Sequence, residues 1–216
     1  MTRLQSGGGR NPADAEAVLA AFARTTGDVP AARRVARQFA DLDEGERSAL
    51  LWSEDAGARL VAVQLLVQAM REQPDPELTD EYLSAAKADR FDDAVLADLG
   101  AEELVGAPLV GGSTGPLFAL VKSDVAMVRR IAVVATLAFA KQGDAEVPLA
   151  IAGRLVRERS DVVQSALGRV LRETGKRASE EALVAFLERQ GRFLSPAARA
   201  TATEHLPPAE RDRLRG

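Results

Sequence analysis

Apolar positions along this chain recur at helical spacing, and no run alternates with the period of two that marks a half-buried strand. The stretch "GRVLRETGK", residues 168 to 176, shows the pattern most clearly. At 100° per residue Arg169, Arg172 and Lys176 fall within roughly 60° of one another, while Val163, Leu167, Val170 and Leu171 gather on the opposite side. One face is built to pack and the other carries positive charge. Glu173 is the only acid in this stretch, so the stripe is either solvated or faces an anionic partner. Breaks at "TTGDVP", "REQPDP", "GAPLVGGSTGP", "KQGDAEVP" and "ERQGRFLSP" separate helices of ordinary length.

Helix starts recur in register. Ser53 in "WSEDAGARLVAVQLL", Ser123 in "KSDVAMVRRIAVVATL", Ser160 in "RSDVVQSALGRVL" and Ser195 in "LSPAARATATEHL" each stand where a side chain can cap free backbone N–H groups. Their intervals are 70, 37 and 35 residues, with the skipped member near Asp89. Helix pairs repeating about every 35 residues predict an all-α solenoid, in which each pair buries its apolar face against its neighbours and the array presents a concave surface. Trp52, in "ALLW", is expected in the core.

Composition narrows the chemistry. With 216 residues, 46% of them hydrophobic, the chain can bury a substantial core. It has no cysteine and one histidine, His205, which removes disulfides, thiol nucleophiles, thiolate zinc sites and histidine-based triads from consideration. Any reaction must run on carboxylates, arginine, lysine or hydroxyls. Asp92 and Asp93 have no companions at metal-binding spacing, so neither a metal nor a cofactor is expected. The opening "MTRLQSGGGRNP" lacks the apolar core of a signal peptide, and no run reaches the roughly 18 apolar residues of a membrane span. A cytoplasmic, monomeric protein without membrane contact is expected, with residues 1–10 a disordered tail and 11–216 one repeat domain.

The net charge of −4 is unevenly spread: residues 1–120 hold 11 Lys and Arg against 20 Asp and Glu, residues 121–216 hold 17 against 12. Residues 11–90 therefore form an acidic part, and residues 91–206 the part suited to a polyanion. A sequence pI of about 5.3 argues against a surface coated in nucleic-acid contacts and for a local groove.

Four blocks in order, "DLGAEELVG" (98–106), "SDVAMVRRIAVVATLAF" (123–139), "ALGRVLRETGK" (166–176) and "LSPAARATATEHL" (194–206), resemble the AlkD-like DNA alkylation repair family. The resemblance covers roughly residues 45 to 206 and implies a right-handed solenoid of HEAT-like antiparallel helix pairs with a concave DNA-binding groove. It also implies a glycosylase that removes cationic N3- and N7-alkylpurines from double-stranded DNA without full base flipping. The family's catalytic carboxylate, eight residues before a glycine, falls on Asp98 before Gly106. Its paired arginines fall on Arg129 and Arg130, and its phosphate-holding block on Gly168 to Lys176. The implied DNA contacts are thus Arg129, Arg130, Arg169, Arg172 and Lys176, extended by Arg154 and Arg157 on the preceding helix.

Two positions depart from the family pattern. The tryptophans that cradle the lesion are replaced by Ala94 and Arg169, with Phe91 one turn before Ala94. The residues expected at the lesion are accordingly Phe91, Ala94 and Arg169. A guanidinium at Arg169 can stack on a sugar or base or repel a cationic one. Two further readings stay open: a non-catalytic relative that binds damaged, bent or branched DNA, and a protein–protein scaffold whose acidic N-terminal part repels DNA.

Overall fold

The computed structural model describes residues 13–215, within which every regular element is helical. The tail expected over residues 1–10 lies outside them. The chain divides into two compact units, one ending at Gln68 and one beginning at Ala69.

The first unit holds α1 (Ala13–Ala23), α2 (Val29–Gln38), α3 (Glu44–Leu51) and most of α4 (Ala56–Glu72). The starts of α2, α3 and α4 are set by aspartates. Asp28 accepts from the Ala31 N–H at 2.8 Å, and Asp43 and Glu46 form a reciprocal capping box. Asp55 accepts from the Ala58 N–H at 2.8 Å and opens α4. Leu50 and Leu51 fill the buried face of α3, but the helix stops there. Trp52, the residue that closes it, leaves from the helix end and is 39% exposed. The expected core position is therefore not realised.

The second unit contains α5 (Pro76–Lys87), α6 (Ala94–Gly100), α7 (Gly115–Leu120), α8 (Ala126–Ala135), α9 (Leu137–Ala140), α10 (Glu146–Leu155), α11 (Asp161–Arg177), α12 (Glu180–Gln190), α13 (Pro196–Ala202) and α14 (Pro208–Arg215). Helix α6 runs on into a π-helical segment, Ala101–Gly106. Helices α6 and α8 lie side by side and point the same way, as do α11 and α13, and α8 packs against α11. Asp98 meets Arg130 while, eight residues on, Gly106 meets Ala135; Gly168 meets Ala198 while Arg172 meets Glu204. Helices α5, α7, α10, α12 and α14 pack against these, and α12 also packs against α10 and α14.

Two glycines make the close approaches possible. A Cβ on Gly106 would sit 2.0 Å from the Ala135 carbonyl oxygen, and one on Gly168 would sit 2.7 Å from that of Ala198. Backbone meets backbone at both places, so no side chain can yield. On α11, Val163, Leu167, Val170 and Leu171 are each at most 1% exposed, which is the packing face the periodicity predicts.

The repeat is also written in hydrogen bonds. The Arg59 guanidinium donates to the Ser53 carbonyl at 2.8 Å, that of Arg129 to the Ser123 carbonyl at 2.8 Å, and the Gln164 amide to the Glu158 carbonyl at 2.8 Å. Each bond reaches back six residues, and the donors stand 70 and 35 residues apart. The register thus runs through Glu158 rather than Ser160. Of the four serines, only Ser195 caps its helix through the side chain, accepting from Ala198 N–H at 3.1 Å. Ser53 and Ser123 instead close tight turns before their helices, and Ser160 makes no side-chain cap bond. Among the described residues no helix is long and apolar enough to cross a membrane.

Candidate functional site

Asp98 stands in the last turn of α6, a helix started by Asp93, whose carboxylate accepts from the Val95 N–H at 2.8 Å. The following π-helical turn re-aims the chain so that Gly106 can close on α8. The Asp98 carboxylate faces α8, where Arg130 meets it fork to fork: Nε to Oδ1 at 2.8 Å and Nη2 to Oδ2 at 2.7 Å. The remaining nitrogen of Arg130, Nη1, donates to the Val162 carbonyl and to Ser165 Oγ, the latter at 2.8 Å. Arg130 therefore ties together α6, α8 and α11, and its side chain is only 7% exposed.

A second cation reaches the same carboxylate. Arg169 Nη1, from α11, lies 3.0 Å from Asp98 Oδ2. Its side chain is 37% exposed against 18% for Asp98, and its Nε is buried with no hydrogen-bond partner. The cluster of one carboxylate and two guanidiniums carries a net positive charge. Beneath it, the fully buried Tyr82 donates its hydroxyl to the Ala97 carbonyl. Burial first, and then the Asp98 charge, push the Tyr82 pKa well above its ordinary value, so it stays protonated.

The other expected residues occupy distinct surroundings. Arg129 is bound to Glu158 at 2.6 Å and to the Ser123 and Asp124 carbonyls, which makes it a brace between α8 and the turn before α11. Burial opposes ionisation of Glu158, but the Ser160 N–H and Arg129 outweigh it and hold its pKa below the ordinary value. Arg172 pairs with Glu204 at 2.8 Å and with Glu173 at 3.1 Å. Lys176 is exposed and makes no ion pair or hydrogen bond among the described residues. Arg154 lies over the Phe118 ring at 5.8 Å, and Arg157 over Phe193 at 3.5 Å.

At the positions expected to face a lesion, Ala94 opens α6 and is half-buried, and Arg169 is on the carboxylate. Phe91 is only 1% exposed, its ring centroid 5.0 Å from that of Tyr82, so that surface is already taken up inside the protein. Sequence reasoning did not single out Ser165 or Tyr82. Ser165 carried a signal, since it stands 35 residues after Arg130, one period on. Among the described residues no group of acids and histidine is placed to hold a metal ion.

A family profile described as DNA alkylation repair enzyme matches residues 11–206, almost the whole chain. The chain belongs to the DNA alkylation repair enzyme family. Membership places the chain among DNA repair proteins and implies DNA as its partner. Neither a curated protein nor a solved structure matches the chain. The spacing of Asp98 and Gly106 has a physical basis here: the acid meets Arg130 on α8, and the glycine admits the backbone of Ala135 five residues further along that helix.

Proposed function

We propose that this chain is a DNA glycosylase that hydrolyses the N-glycosidic bond of N3- and N7-alkylated purines in double-stranded DNA. The observation that carries the reading is Asp98: a partly exposed carboxylate held in one orientation by a buried arginine whose other bonds are all made within the protein. An alkylated purine already bears positive charge and departs neutral, so no general acid is needed. The C1′–N bond breaks with its electron pair going to the base, and the sugar becomes an oxocarbenium-like cation. Asp98 stabilises that cation and receives or directs a proton of the water that adds to C1′.

Arg130 is a positioning residue in this scheme, since all three of its nitrogens are engaged. The side-by-side helices α6, α8, α11 and α13 form the inner wall of a right-handed HEAT-like solenoid. On that wall Arg172 and Lys176 meet phosphates, supported by Arg154 and Arg157, and supply affinity without reading sequence. The protein acts as a monomer and without a cofactor.

Arg169 favours a second reading. With both oxygens of Asp98 satisfied and the cluster positive, the same surface suits a DNA-binding relative that excises nothing. Release of 7-methylguanine and 3-methyladenine from alkylated duplex, with no release of the neutral base hypoxanthine, supports the glycosylase. DNA binding without release of any base supports the second reading. Absence of DNA binding at low salt would refute both in favour of a protein scaffold.

A further inference from the structure

We propose that Arg169 is a movable mask on Asp98, drawn away by a DNA phosphate when duplex binds. The two arginines on this carboxylate are not equivalent. Arg130 is 7% exposed, grips both oxygens and is anchored to α11 through Val162 and Ser165. Arg169 makes one contact, from Nη1 to Oδ2, at the outer side of the pair, and is 37% exposed. A single partly solvated ion pair is weak and readily exchanged.

Arg169 is also poorly satisfied where it rests. Its Nε is buried without an acceptor, so the guanidinium uses only part of its donor fork. A phosphate offers several acceptor oxygens to that fork and the charge that the positive cluster lacks. Arg172 and Lys176 follow on the same face of α11 at positions three and seven residues on, so a backbone meeting them passes within reach of Arg169.

The chemistry requires such a movement. An oxocarbenium-like sugar or a cationic base cannot occupy the space over Asp98 Oδ2 while a guanidinium holds it, because like charges would be juxtaposed. Transfer of Arg169 to a phosphate frees Oδ2 and leaves Asp98 oriented by Arg130 alone. Asp98 would then be available only when duplex is in place. The catalytic consequence rests on the glycosylase reading; the movement itself does not.

The test follows the Asp98 carboxyl-carbon chemical shift by NMR at one fixed neutral pH in wild type and Arg169→Gln, free and with a short duplex. Removing the cation moves the Asp98 carboxyl resonance in the free variant. Duplex moves the resonance in both proteins through its own negative charge, and moves it further in wild type, where Arg169 also departs. An unchanged Asp98 in the free variant, or an equal response to duplex in both proteins, overturns the proposal. Arg169→Gln also lowers the salt slope of duplex binding by about 0.9. If Asp98 responds as stated and neither protein releases a base, the mask stands and the glycosylase reading fails. If base is released and Asp98 responds equally in both, the mask fails and the glycosylase stands.

Discussion

Replacing Arg130 by Met probes the joint on which the site is built. Methionine fills a comparable volume but breaks both bonds to Asp98, and it strips Ser165 Oγ and the Val162 carbonyl of their guanidinium donor. Breaking a buried ion pair by removing one partner costs about 3–5 kcal/mol. Asp98 retains Arg169 and is 18% exposed, so the lower end, about 3 kcal/mol, applies. For a chain of this size that is a fall in melting temperature of roughly 6–12 °C. Arg130→Lys recovers little of it, because an ammonium cannot reproduce the planar fork across three helices. Arg169→Gln, in contrast, removes a half-exposed contact worth less than about 1 kcal/mol. Thermal unfolding followed by circular dichroism compares the three. A melting temperature for Arg130→Met within about 2 °C of wild type would refute the reasoning, as would an Arg169→Gln effect of equal size.

Gly106→Ala forces a Cβ onto the Ala135 carbonyl and is expected to cost roughly 3 kcal/mol, whereas Gly112→Ala, whose Cβ would lie 3.6 Å from its nearest neighbour, stays within about 0.5 kcal/mol of wild type by denaturant unfolding. His205 has both ring nitrogens buried without a partner, and burial foremost pulls its pKa below the ordinary 6.5. The unfolded chain therefore takes up this proton first, so the stability present above about pH 6.5 is lost as pH falls towards the folded value. His205→Gln removes that part of the pH dependence, and a His205 proton titration at or above 6.5 would contradict it. Lys176→Ala is expected to weaken duplex binding uniformly across sequences and to lower the salt slope by about 0.9; an unchanged slope would place Lys176 away from the backbone.

How far the structure could be read from the sequence follows from which features are periodic. The packing face of α11 and the period near 35 residues were legible because burial repeats with the helix turn. The register was legible only to within two residues, because serine turns and true caps share residue types. The fixed donors at Arg59, Arg129 and Gln164 settle it, and they differ in side chain. Trp52 misled because its exposure depends on where α3 ends, a boundary that "ALLW" does not mark.

At the site, a motif could point to Asp98 and Arg130 as positions but not to their pairing, since the two are 32 residues apart and meet only through packing. The stripe of Arg169, Arg172 and Lys176 is real as a helix face. Two of its three charges, however, are met by acids from outside the stretch: Asp98 lies on α6 and Glu204 in the turn after α13, and neither is visible in a window along α11.

The measurement that tests the central claim most directly is single-turnover release of 7-methylguanine from alkylated duplex by wild type and by Asp98→Asn, with folding and duplex binding checked for both. The account predicts release by wild type and its loss in Asp98→Asn at equal occupancy of DNA. Release that survives Asp98→Asn, or no release by a wild-type protein that binds the duplex, would contradict it.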